Sequence, residues 1–344
     1  MRGLDLDSPT VRPVQSGDEE RDGEAPGGSG PGGRDLAASL EPVLEQVCQG
    51  RLDSITWFRT DWQRGGAATG KAEWRGEDGR RTVLVKMPLH PRELRWLRAL
   101  GGRSPHVPDF VAGGETLGGY DLAWAVIEHL PHGPLALDWQ ARFVEPIATA
   151  IAGFATASAP HPVGDLRPED GWSELLEQSR RKVKDARLEG GKEWNRLLRE
   201  CERRLETMLE TWRGRAPIEW IHGDLHPGNA MCRTPIDATG RTSPEVCLID
   251  FAEVRTGHWI EDAIYLERLH WSRPDRIAGH PPVRAIAKAR KEAGLDNGDD
   301  HARLAAIRRT LMAATAPAYA RTEGSPAHLA ACRDRIESSL RSLK

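Results

Sequence analysis

Two apolar runs in this chain stop abruptly at polar turns, and the residues at the breaks carry hard oxygen donors. The first reads Trp220-Ile-His222-Gly-Asp224-Leu-His226-Pro-Gly-Asn229, and the second, about twenty residues on, reads Val246-Cys-Leu-Ile-Asp250-Phe251. A short apolar run bounded by turn residues reads as a buried strand, so the pattern predicts a polar loop held between two strands. The Asn229 and Asp250 pair suits Mg²⁺, which favours oxygen ligands, keeps several waters and shares its shell with substrate phosphates. The remaining carboxylate, Asp224, is then available to orient an attacking hydroxyl and accept its proton.

These residues resemble the aminoglycoside phosphotransferase and choline kinase family, the small-molecule branch of the protein-kinase-like fold, whose catalytic loop reads HGDxxxxN. The resemblance implies Asp224 as catalytic base, with Asn229 and Asp250 as the Mg²⁺ ligands. It also implies that Asp262, in the segment beginning at Trp259, braces the loop backbone, and that His222 packs beneath the loop.

Upstream, Arg81-Thr-Val-Leu-Val-Lys86-Met ends a β-branched strand on a lysine, although the basic residues are overwhelmingly arginine. A buried ammonium is costly unless paired. Glu93 opens an amphipathic helix with Leu94, Leu97 and Leu100 on one face. By resemblance, Lys86 grips the nucleotide phosphates and Glu93 holds it. Between two strand-like stretches lies a small-residue turn with Gly65, Gly66 and Thr69, where backbone amides can approach an anion. The strand carrying Val126 and Glu128 runs into a Pro/Gly turn. By resemblance its backbone meets the purine, which leaves ATP and GTP undecided.

The 344 residues suffice for one two-lobed catalytic unit, and a net charge of -3 gives no reason to expect a nucleic-acid partner. Five scattered cysteines without CxxC spacing read as reduced thiols of a cytoplasmic protein. No apolar run approaches the ~20 residues of a membrane span, and none reads as a signal peptide. Residues 1–34 are expected to form a disordered acidic Gly/Pro-rich tail, 35–130 a small nucleotide-binding lobe of antiparallel strands with one helix, and 131–344 a mainly helical lobe with the acceptor site. Strands are predicted near 54–62, 71–76, 81–87, 109–113 and 120–128, and helices over 35–50, 91–100, 139–159, 172–188, 193–212, 259–271, 282–293, 300–321 and 326–343.

Trp172, Trp194, Trp212, Trp259 and Trp271 fall in the helical part, where a subset is expected to line the acceptor pocket. Acidic residues there, Asp165, Glu169, Asp170, Glu174, Asp296, Asp299 and Asp300, would suit a polyamine-like acceptor. The sequence therefore reads as an α+β kinase-like enzyme that moves a γ-phosphoryl group from ATP to a small-molecule hydroxyl with Mg²⁺. Antibiotic, choline-like, sugar and amino-alcohol acceptors all stay open, as does oligomeric state. A protein kinase of the same fold and a non-catalytic nucleotide-binding scaffold are the alternatives.

Overall fold

The computed structural model describes residues 33–59, 67–164, 171–236, 243–320 and 325–343. Residues 1–32 of the expected tail, Gly65, Gly66, Asp165, Glu169 and Asp170 lie outside the described residues, while Gly33 and Arg34, expected in the tail, begin the first helix. The chain divides into two compact units. The larger contains residues 28–168 and 211–308, and the other contains 169–210 and 309–344.

The larger unit begins with helix α1 (Gly33–Val47) and strands β1 (Leu52–Arg59), β2 (Ala68–Gly76) and β3 (Gly79–Met87). Helix α2 (Pro91–Leu100) and strands β4 (Phe110–Gly114) and β5 (Trp124–Glu128) follow. The strands form one antiparallel sheet in the order β1-β2-β3-β5-β4. Period-two alternation explains its two faces: Val83, Val85 and Met87 of β3 are buried with Val126 of β5 against Leu40 and Leu44 of α1, while Lys86 belongs to the opposite face. Thr69 lies directly across from Lys86 in the β2–β3 register. Helix α2 starts at Pro91, a favoured first position because its missing N–H has no intrahelical acceptor, and His90 caps it by accepting from Arg92 N at 3.2 Å. Its buried face holds Glu93, Leu94, Trp96, Leu97 and Leu100.

Helix α3 (Val144–Ser158) is followed, after α4 (Trp172–Asp185) and α5 (Gly191–Arg213), by two short antiparallel ladders. Strand β6 (Glu219–Ile221) pairs with β9 (Arg255–Gly257), and β7 (Ala230–Cys232) pairs with β8 (Val246–Leu248). Helices α6 (Ile260–Arg268) and α7 (Pro282–Glu292) complete this unit's helical part, with α8 (His301–Thr315) crossing the boundary. The smaller unit gathers α4, most of α5, the end of α8 and α9 (Pro326–Ser342). The molecule is thus α+β, with every predicted helix present. The strand predicted over 120–128 is shorter, because Leu117 and Tyr120 bridge each other in a tight turn that occupies its first residues.

The tryptophans of the helical part are core residues. Trp172, Trp194, Trp212, Trp259 and Trp271 are all buried and pack the interior, and of the five Trp259 also borders a small cavity beside Trp220, Asp262 and Arg290. The indole N–H of Trp259 is satisfied by Asn297 O at 3.1 Å and that of Trp271 by Glu267 Oε1 at 3.1 Å. Among the described residues, no helix is long and apolar enough to cross a membrane. All five cysteines are buried and unbridged.

Candidate active site

The loop between β6 and β7 is built around its own backbone. Buried Asp262, in the first turn of α6, accepts from His222 N and from Gly223 N, both at 2.8 Å. That is the bracing geometry its position implied. His222 is fully buried; its Nε2 lies 3.1 Å from Ile249 O, and its ring packs on Phe251 and Phe154. Gly223 has φ +81°, and a Cβ there would fall 2.2 Å from Glu253 O, so this turn admits only glycine. His226 Nδ1 accepts from Gly228 N at 3.0 Å. With that nitrogen an acceptor, the neutral ring carries its proton on Nε2 and directs it to Asp224 Oδ2, 3.5 Å away.

Asp224 is held on several sides. Asn229 Nδ2 donates to its Oδ2 at 3.1 Å and to its backbone carbonyl at 3.0 Å, and the Tyr265 hydroxyl bonds its carboxylate from α6. Burial alone would raise its pKa, but the His226 and Tyr265 bonds and the nearby imidazoles outweigh that and bring it down to about 2. Asp224 is therefore a carboxylate throughout the neutral range.

The β7–β8 ladder brings Asp250 to the same place. Ala230 pairs with Leu248, and one step further Ile249 N donates to Asn229 O at 3.0 Å, so Asn229 and the residue before Asp250 are joined backbone to backbone. Asp250 has φ 64° and ψ 71°, a left-handed conformation that costs a non-glycine residue of order 1–3 kcal/mol and persists only where its surroundings enforce it. Phe251, stacked on Phe154 with ring centroids 5.7 Å apart, anchors the following turn. Among the described residues no hydrogen bond or ion pair engages the Asp250 carboxylate. The Asn229 amide nitrogen is spent on Asp224, leaving its oxygen as the outward donor. One carboxylate and one amide oxygen fit Mg²⁺, which completes its shell with water and phosphate. No cluster of three His, Cys, Asp or Glu side chains suited to a metal occurs among the described residues.

On the sheet side, Lys86 Nζ donates to Glu93 Oε1 at 2.6 Å. Burial pushes the Glu93 carboxyl up, Lys86 pulls it down, and the charge of Asp250 pushes it up again, which sets Asp250 within electrostatic reach of this pair. Arg92 Nη1 donates to Ala252 O at 3.0 Å, fastening the start of α2 to the turn after Asp250. Within the larger unit Lys86, Glu93 and Thr69 thus form one group on the sheet side, Asp224, Asn229 and Asp250 another about the two ladders, and the Arg92 bond to Ala252 ties the one to the other. Val126 and Glu128 do not join them through their side chains. Val126 is in the sheet core, paired on both edges, and the Glu128 carboxylate is taken by Arg233. Tyr265 and Arg233 escaped the sequence reading, since a lone tyrosine in a helix and one arginine among many carry no local signal. Asp296 Oδ1 is occupied in its own turn by Gly298 N at 2.9 Å.

The sequence profile of the phosphotransferase enzyme family matches residues 65–324. Comparison with curated proteins returns no match. Among solved structures, the microcompartment-associated aminopropanol kinase superposes with a TM-score of 0.55 at 17% identity, over 88% of this chain and 98% of that one. An aminoglycoside phosphotransferase from Alicyclobacillus acidocaldarius subsp. acidocaldarius DSM 446 gives 0.54 at 16% identity, over 85% and 92%. Likenesses at this identity establish the fold, which is protein-kinase-like.

Proposed function

The chain belongs to the phosphotransferase enzyme family, and from that premise we propose that it is a small-molecule kinase that moves the γ-phosphoryl group of ATP to a hydroxyl acceptor, with Asp224 as the residue that receives the acceptor. The observation that carries this reading is the convergence of three oxygen-bearing side chains from two ladders: Asn229 bonded to Asp224 at 3.1 Å, and Asn229 O bonded at 3.0 Å to the amide just before Asp250. Asp224 accepts the hydrogen bond of the incoming hydroxyl and points its oxygen along the line of attack. A carboxylate with a pKa near 2 is a weak base. It suffices, because phosphoryl transfer has a loose transition state in which the hydroxyl proton leaves late, so orientation matters more than basicity. Lys86, steadied by Glu93, presents a positive charge to the phosphates on the sheet side. Asn229 and Asp250 are the residues that would hold Mg²⁺. When bound, the ion supplies neutralisation of the phosphate oxygens.

The acceptor class is proposed as an amino alcohol, an aminoglycoside-like antibiotic or a related metabolite. The test is a coupled nucleotide-consumption assay with ATP and GTP in parallel, run against aminopropanol, ethanolamine, choline, homoserine, aminoglycosides, macrolides and simple sugars. Phosphate incorporation into one small-molecule class supports the reading. Incorporation into protein alone, or binding of Mg-nucleotide with no turnover on any acceptor, would overturn it.

A further inference from the structure

Arg233 is the first residue after β7, and every N–H of its guanidinium has an acceptor. Nε donates to Glu128 Oε1 at 2.8 Å and Nη2 to Glu128 Oε2 at 2.9 Å, a two-pronged pairing with the last residue of β5. Nη2 also reaches Val107 O at 3.0 Å, and Nη1 reaches Pro105 O and, at 3.3 Å, Glu245 Oε1 just before β8. A guanidinium has five N–H groups in a rigid fork, so this side chain is saturated. Glu128 in turn accepts from Asp109 N at 3.1 Å, while its own N–H donates to Asp109 O at 2.9 Å. The 105–107 segment is also stitched to β8 directly: Leu248 N donates to His106 O at 2.9 Å, His106 Nδ1 lies 2.9 Å from Val246 O, and Cys247 Sγ donates to Pro105 O at 3.2 Å.

The network joins two parts of the site that the chain keeps more than a hundred residues apart. At one end is the strand end of β5, whose backbone is the proposed purine contact. At the other is the β7–β8 ladder, which carries Asn229 at its start and leads into Asp250. We propose that Arg233 is a positioning residue for the nucleotide: through Glu128 and the 105–107 carbonyls it sets the span between the purine-holding strand end and the metal-holding pair. A nucleoside triphosphate must reach from one to the other, so the span selects a ligand of that length. Lysine in its place keeps the charge but cannot fork to two carboxylate oxygens and still reach the 105–107 carbonyls. This inference rests on the nucleotide-dependent reading above.

The test compares wild type with R233K and, as a milder lesion that keeps the side-chain shape, E128Q. Direct titration of a non-hydrolysable ATP analogue with Mg²⁺ precedes steady-state kinetics, and hydrogen exchange is followed at the His106–Leu248 contact. The expected result is a loss of about tenfold in nucleotide affinity and in nucleotide KM for R233K, the size of a lost bond to a charged group, with acceptor KM unchanged. E128Q shows a smaller shift of the same kind, and exchange quickens at the amides of both β5 and β8. Unchanged nucleotide affinity in both variants overturns the proposal. So does an acceptor KM that rises in step with that of the nucleotide, which would mark a general loosening. A wild-type protein that binds no nucleotide overturns the functional reading and this one together, and is recognised before any variant is made.

Discussion

The loop between β6 and β7 and helix α2 each hold one largely buried carboxylate, and their surroundings drive the two in opposite directions. Asp224 has burial working against its charge, yet the bonds from His226 and Tyr265 and the nearby imidazoles outweigh it, and its pKa falls to about 2. Glu93 is also buried, with Lys86 bonded at 2.6 Å and Asp250 opposing, and its pKa is raised. Donors aimed at a carboxylate keep it ionised, which is what the proposed function asks of Asp224, whereas a buried carboxylate answered by one ammonium suits the proposed role of Glu93 in steadying Lys86. The contrast has a physical ground: burial dominates at Glu93, while donors and nearby imidazoles outweigh it at Asp224.

The largest test of that contrast is Asp224→Asn, which keeps the shape and removes the charge. We expect kcat to fall by about 10²–10⁴, the range of a positioned acid–base group, while nucleotide affinity by calorimetry is preserved; full turnover would remove Asp224 from its role. Next in size, Asp250→Ala should weaken Mg-nucleotide binding by about tenfold or more, corresponding to at least ~1.4 kcal/mol, and an affinity equal to wild type with excess Mg²⁺ would exclude it as a ligand. On the α2 side, Lys86→Met leaves Glu93 buried without its ammonium, costing on the order of 1–3 kcal/mol in chemical denaturation, and the double change to Lys86→Met with Glu93→Gln should recover part of that loss. If the double variant is no more stable than the single one, the pair is not coupled.

The smallest effect concerns acid stability. The folded-state pKa of Asp224 lies below its ordinary value of 3.8, so its carboxylate contributes stability that is fully present above that value and is lost as the pH falls towards 2. Tyr265→Phe removes one donor and should shrink this contribution, moving the acid unfolding midpoint slightly upward and lowering kcat by roughly tenfold, as expected for a bond to a charged group. An acid limb and a kcat identical to wild type would show that the tyrosine hydroxyl does not act on Asp224.

Much of the fold was legible because its signals are local. The alternation in β3, the leucine spacing of α2 and the glycine of the 222–224 turn each report a constraint felt within a few residues, and each is present as expected. The place of each tryptophan was not legible, because an indole's apolar face suits a core and a pocket equally, and only burial separates the two. The partner of Glu128 was hidden for a related reason: its place at the end of β5 was readable, but its carboxylate is bonded by an arginine 105 positions later.

The sequence by itself determined which groups are present and in what local frame: a carboxylate on a glycine-bent loop, an amide five residues on, a second carboxylate after a strand and a lysine on another. Tertiary structure alone decided how those groups are charged and what each one faces. The β7–β8 register joins Asn229 to the neighbour of Asp250, Tyr265 arrives from α6 to hold Asp224, and Arg233 ties β5 to the 105–107 carbonyls. The physical reason is one of range. Backbone preferences and side-chain periodicity act between neighbours along the chain, whereas desolvation and hydrogen bonding act between neighbours in space, which only the folded chain defines.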